Sequence, residues 1–322
     1  MAVVVCGEAL IDLMPTPGQA STSEQSSWQA RSAGGPMNTA IAMARLGMPV
    51  QFAGRFGSDA FAAQLRDHLH ANGVDDSPAV EIPGGSTSLA IVSLDATGTA
   101  SYNFHLHGTA NFGWRTGEFP QLGSGDWFHT GSLAAVVEPG RSALLEFMAQ
   151  TPARLSFDVN VRPTVEPDRE KYVALVEPFF ELVGQRGGVL RASDEDLQWL
   201  TGGAAPTDVL VAETVQRYGL DLMVVTLGSQ GAMAAGIGRD TVTVPGFPPA
   251  PALADTVGAG DTFTAGFLQE CTAGFLQERL GSGDLMRAMR RGCAAASIVC
   301  SRVGANPPTA SEVDELLAQA SS

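Results

Sequence analysis

The chain has 322 residues, enough to bury a sizeable core, and α/β units of this size often fold as one domain, so length alone does not require two. Thirty-four acidic against 19 basic residues leave a formal charge of −15, which repels a nucleic-acid backbone or an anionic membrane surface. Lys171 is the only lysine, so there is no G-x-x-x-x-G-K-[ST] phosphate loop, and Schiff-base chemistry has a single amine available, in the charged stretch "PDREKY".

In chain order, "AVVVC" reads as a first strand; Glu8 and Asp12 follow it closely and no basic segment precedes it, which is not the pattern of a signal peptide. No apolar run approaches the ~18 residues of a membrane span. "MNTAIAMARLG" has helical spacing, "VQFAGRFG" that of a strand, and "DAFAAQLRDHLHANG" that of a helix. Later "RLSFDVN", "GGVLRAS", "TDVLVAETVQRYG" and "LMVVTLG" repeat the alternation. Strand, helix, strand in repetition predicts a three-layer, doubly wound and mostly parallel sheet with helices on both faces, whose ligands lie at the carboxyl ends of the strands. The four cysteines, Cys6, Cys271, Cys293 and Cys300, form no C-x-x-C pair and sit among Val, Ala and Ile, which fits small buried thiols in a reduced cytoplasm.

Two stretches break the rhythm. Residues 15–33 are polar around an isolated Trp28, and residues 86–107 read as two strands about the turn "DATGT". Together they predict a small β-lid, approximately 13–33 and 86–108, inserted in a single domain spanning 1–322. Tyr102, Phe104 and Leu106 alternate with Ser101, Asn103 and His105, which puts Phe104 on the lid face that would cover a ligand. A lid that excludes water suits transfer from an activated donor. The duplication "TAGFLQECTAGFLQE" is spaced by eight residues, so Phe267 and Phe275 would not share a helix face.

The stretch "DTVGAGDTFTAGFL", Asp255 to Leu268, places small residues at the start of a helical run beginning near Ala259. Unpaired N–H groups of Gly258, Ala259 and Gly260 at the positive helix end form an anion hole. Asp261 sits beside it, kept ionised by the same dipole and able to take a proton from a hydroxyl. Those are the two parts that attack on a phosphorus centre needs. "AGGPMN" sets Gly34 and Gly35 before a helix carrying Asn38, which suits close approach of a polyhydroxylated ligand.

These segments, with "GEALIDLMP", "GRFGSD", "DVNVRP", "VTLGSQGA" and "SRVGANPP", resemble the ribokinase-like, or PfkB, carbohydrate kinases over nearly the whole chain. The resemblance implies an ATP- and Mg²⁺-dependent kinase of a sugar hydroxyl, with a β-lid that often makes a homodimer. It implies that Asp261 is the base beside the anion hole, and that Asp12, Gly34, Gly35 and Asn38 bind sugar. It further implies that Arg162 lies near the transferring phosphate, Thr226, Gly228 and Gly231 in the nucleotide loop, and Asp255 with backbone near Val257 and Gly304 at a K⁺ site. Four positions depart from the family pattern: Ser193 and Asp196 stand for the N-x-x-E element that the family links to metal and phosphate, Cys293 for an asparagine near the adenine, and Ala62 for a glycine. "GEALIDLMP" and "YNFHLHGTAN" resemble the fructokinase branch, with 2-keto-3-deoxygluconate kinase and nucleoside kinase as alternatives within the class. From another class, the alternative is a sugar- or nucleotide-binding protein without turnover.

Overall fold

The computed structural model describes residues 1–16, 22, 24–94, 100–274 and 282–320. The first half contains β1 (Val3–Cys6), β2 (Leu10–Pro15), β3 (Trp28–Ala33), α1 (Gly35–Arg45), β4 (Val50–Ala53), β5 (Arg55–Phe56), α2 (Ala60–Ala71), β6 (Val80–Glu81), β7 (Leu89–Leu94) and β8 (Ala100–His105). There follow β9 (Trp127–Gly131), α3 (Gly140–Gln150), β10 (Arg154–Asp158), α4 (Arg169–Gln185), β11 (Val189–Ser193), α5 (Asp194–Thr201), α6 (Asp208–Tyr218) and β12 (Leu222–Thr226). The chain closes with β13 (Ala232–Gly236), β14 (Arg239–Val244), α7 (Ala259–Gly274), α8 (Ser282–Cys300) and α9 (Ala310–Gln319).

Strand β1 is buried throughout, as an unbroken apolar run must be in a sheet covered on both faces. Because successive residues point to opposite faces, Val3 and Val5 pack with Met37, Ile41, Phe263 and Phe267 of α1 and α7. Val4 and Cys6 pack instead with Met148, Tyr172, Val176 and Val211 of α3, α4 and α6. Each such large side chain, fully buried, contributes about 1.5–3 kcal/mol before chain entropy is charged against it. The main sheet, among the described residues, runs β14-β13-β12-β11-β10-β9-β1-β4. It is parallel from β12 to β4. Its β14 edge is antiparallel, because β13 and β14 form a hairpin over Ile237 and Gly238, and Gly238 (φ 68°) supplies the left-handed conformation that so short a connection needs.

A second sheet, β3-β2-β7-β8, stands over the carboxyl ends of the first. Polar residues 28–33 supply its strand β3, whose register opposes Arg31 to Asp12 on β2. Asn111 anchors the crossing between the sheets: its Oδ1 accepts from Ala9 N at 3.3 Å and its Nδ2 donates to Ser88 Oγ at 3.2 Å. The turn expected at 95–99, and the second copy of the duplication from Phe275 onward, lie outside the described residues.

Candidate active site

Between the two sheets lies a cleft of about 830 Å³, into which β1, β10, β11 and β12 deliver their carboxyl ends. Its wall carries Asp12, Gly34, Gly35, Asn38, Phe104 and Arg162 at the lid side and Gly258, Ala259, Gly260 and Asp261 in the middle. Ser193, Asp196, Thr226, Gly228, Gly231, Val257 and Cys293 line the rest. Asp255 and Gly304 lie behind the wall, joined by a hydrogen bond from Gly304 N to Asp255 Oδ2 at 2.9 Å.

Helix α7 begins where Gly258 turns left-handed (φ 77°). Ala259 N is spent on Thr256 O at 3.1 Å, and Thr262 N takes Gly258 O at 2.8 Å. The anion hole is therefore narrower than the spacing predicts: the N–H groups of Gly258 and Gly260 have no acceptor among the described residues, whereas that of Ala259 closes the turn. Asp261 follows in the same first turn, buried to 8 % exposure, and accepts from Asn38 Nδ2 at 2.9 Å. Burial pushes its carboxyl up to about 7; Asp158 nearby also raises it, while the Asn38 hydrogen bond and the charges of Arg162 and Arg191 oppose. The helix dipole alone does not keep this group fully ionised, because desolvation outweighs it.

On the lid side, Gly34 has φ 127°, and a Cβ there would stand 2.4 Å from Glu8 O. At Gly35 a Cβ would stand 2.8 Å from Asn160 Nδ2 and 3.3 Å from Asp261 Oδ1, so Gly34 is required for its φ and its packing on Glu8, and Gly35 for the space beside Asp261. Asp12 is pushed up to about 6 by burial against the pull of Arg162 and Arg31. Tyr102 and Phe104 stack at 6.0 Å with 14° between their planes and face the cleft, while Leu106, past the end of β8, is buried. The Arg162 backbone N–H donates to Tyr172 Oη at 3.1 Å, which anchors the loop that carries its guanidinium.

On the opposite side, the Asp196 carboxylate is engaged at both oxygens, by Val161 N and Ser193 N, each at 2.7 Å. With Ser193 Oγ accepting from Asp196 N at 3.0 Å this is a reciprocal cap on α5, and it fixes the end of the loop leading to Arg162. Gly231 lies 2.1 Å, by the position of an added Cβ, from Val244 O, which holds the 226–231 loop flat against β14. Cys293 is buried, its thiol pushed up to about 12 by desolvation, so it is an apolar wall and not a nucleophile.

The donor chemistry here fits a nucleotide and a monovalent cation. Amides at a helix start suit phosphate groups. Among the described residues no three His, Cys, Asp or Glu side chains gather as a metal cage. The Asp255 carboxylate accepts from Val257 N at 3.1 Å and from Gly304 N at 2.9 Å, which sets an anionic group among backbone loops.

Three cleft residues escaped the sequence reading. Asn160 (φ 40°) and Glu8, buried at 1 % exposure, sit between Gly35, Arg162 and the lid. The signal for Asn160 is period two, since Asp158, Asn160 and Arg162 share a parity in "DVNVR"; nothing in the spacing marks Glu8. Arg191 was legible as a charge inside the apolar strand "GGVLRAS".

The family model for pfkB family carbohydrate kinases matches residues 2–312. Fructokinase-1 of Zea mays is 32 % identical over 99 % of this chain and 98 % of its own. The fructokinase of Rhizobium leguminosarum bv. trifolii is 35 % identical over 83 % of this chain and 78 % of its own. A double mutant of the Vibrio cholerae O395 fructokinase, solved with fructose, ADP and potassium ion bound, superposes with a TM-score of 0.84 at 28 % identity, covering 98 % of each chain. A doubly wound sheet with a β-lid and a carboxylate at a helix start is the architecture that this chain shares with the solved fructokinase. The chain belongs to the PfkB family of carbohydrate kinases and is a phosphotransferase with an alcohol group as acceptor.

Proposed function

We propose that the protein is a cytoplasmic fructokinase that transfers the γ-phosphoryl group of ATP to a hydroxyl of fructose. The observation that carries the reading is Asp261: a buried carboxylate, held by Asn38 at 2.9 Å, at the start of α7 beside two free amides. Fructose is favoured over other sugars by the relatives, which are named fructokinases and match 83–99 % of this chain.

In this reading Gly34, Gly35, Asn38 and Asp12 hold the sugar, with Phe104 over it from the lid. Asp261 takes the proton of the attacking hydroxyl, and a pKa near 7 matches that duty at neutral pH. The N–H groups of Gly258 and Gly260 receive the charge developing on the transferred group, with Arg162 as the cation beside it. Thr226, Gly228 and Gly231 cradle the nucleotide, Cys293 walls its base, and Ser193 and Asp196 keep the loop edge in place. Bound Mg-ATP supplies the phosphoryl group and the divalent charge, and K⁺ at Asp255, Val257 and Gly304 would firm the loop before α7. Sheet β3-β2-β7-β8 is the surface through which two copies would pair.

The test is ADP release by the purified protein with Mg-ATP and K⁺ across fructose, glucose, ribose, 2-keto-3-deoxygluconate, adenosine and inosine. Turnover on fructose at least about tenfold above the others in kcat/KM supports the reading. A clear preference for another member of the panel would reassign the substrate. Nucleotide binding without turnover on any of them would favour a binding protein.

A further inference from the structure

Arg191 is the least expected residue of the cleft. It lies on β11 with only 7 % exposure, opposite Asp158 of β10 in the strand register. Its Nη1 donates to both Asp158 oxygens at 3.0 and 3.1 Å, and its Nη2 donates to Thr226 Oγ1 at 2.6 Å. Asp158 also accepts from Thr264 Oγ1 of α7 at 3.3 Å. Strand alternation turns Arg191 toward the α7 face, and there the guanidinium lies directly under the first turn. A Cβ added at Gly260 would stand 2.7 Å from Nη1 and 2.8 Å from Nη2. Its Nε has no acceptor among the described residues.

A buried cation with an unused donor is a costly way to hold a helix, and an apolar pair of similar volume would do so at no electrostatic cost. A cation at this place does something that an apolar pair cannot. Paired with Asp158 it is not a free charge, but the positive end of that pair lies under the first turn of α7 at Gly260. It also joins three parts of the cleft, β10, the start of the nucleotide loop at Thr226, and α7, through one rigid fork.

We infer that Arg191, clamped by Asp158 and Thr226, is a positioning residue for phosphoryl transfer: it fixes the first turn of α7 and biases the anion hole toward the transferred group without touching the sugar. This rests on the sugar-kinase reading of the same cleft. The residue acts through the amides above it, so its loss should fall on turnover and on the affinity for a phosphoryl-transfer mimic, and not on sugar affinity.

The test compares full-length wild type with Arg191→Lys, Arg191→Met and Asp158→Asn. Turnover, the KM for sugar, thermal unfolding, and calorimetric affinity for ADP with and without aluminium fluoride in the presence of sugar are measured. Arg191→Met is expected to lose about 100-fold or more in kcat with sugar KM within about threefold, and to lose the tightening that aluminium fluoride gives to ADP. Arg191→Lys keeps the charge but not the fork and should recover about tenfold of that loss. Should Arg191→Met not fold, Asp158→Asn, which keeps shape and unpins the fork, carries the test: a fall in kcat of about tenfold with unchanged sugar KM supports the role. Folded Arg191→Met with kcat within about threefold of wild type would overturn it, as would a loss carried by sugar KM alone. A wild type inactive on every sugar would instead remove the kinase reading itself, and this inference with it.

Discussion

The side-chain amide of Asn38, one turn into α1, donates to the carboxylate of Asp261, in the first turn of α7, across 223 residues of sequence at 2.9 Å. The bond favours the charged form of a group that burial pushes up to about 7. The groups facing it are Asn38 from α1, Asp158 from β10, Arg162 from the following loop and Arg191 from β11. A base must be deprotonated to act, so kcat/KM should climb as pH rises through about 7. Asn38→Ala removes the bond and should move that limb to higher pH. A profile flat from about pH 5.5 to 8.5 in both proteins would mean that another group takes the proton.

The same pKa has a sign for stability. A carboxyl whose folded value is raised favours folding of the protonated chain, so its contribution is present below the unfolded value and is lost as pH rises through the folded one. Asp261→Asn should therefore stabilise the fold increasingly from about pH 4 to pH 7, levelling above at about 2–4 kcal/mol. Thermal unfolding of the pair across this range measures it. A constant or declining difference would show that Asp261 is not held near neutrality by burial.

Gly35→Ala places a methyl group against Asn160 and Asp261. The neighbours must shift, and the space taken is the approach to the sugar, so sugar KM should rise about tenfold or more while nucleotide KM moves little. Steady-state kinetics with each substrate varied separately decides it. An unchanged sugar KM would take Gly35 out of the sugar site.

Much of this was readable beforehand because it rests on local pattern. Val3 to Cys6 is apolar at every position, which only a strand covered on both faces requires, and the glycines before Asp261 mark a helix start that approaches a ligand. Strand β3 was hidden because residues 28–33 are polar on a half-exposed edge, where no apolar alternation is demanded. The inward turn of the Ala259 amide depends on Thr256 O, a backbone contact that no residue type announces. The two bonds that Asp196 accepts, from Val161 and Ser193, are likewise set by how β10 and α5 meet and are not announced by residue type. Burial is the other quantity that spacing cannot supply, and it reverses the expectation that the dipole decides the state of Asp261.

Asp255 ties the loop before α7 to Gly304. If its carboxylate anchors a monovalent cation, kcat in K⁺ salts should exceed kcat in Na⁺ salts at equal ionic strength, and Asp255→Ala should abolish the difference. Equal rates in the two salts for the wild type would remove the site.

Asp261→Asn tests the central claim most directly, because it keeps the shape of the side chain and deletes only its capacity as a base. Fructose and ATP affinities, measured by calorimetry, should stay within about threefold of wild type while turnover falls about 100-fold or more. Turnover close to that of the wild type, with binding intact, would contradict the assignment of Asp261 as the group that takes the proton.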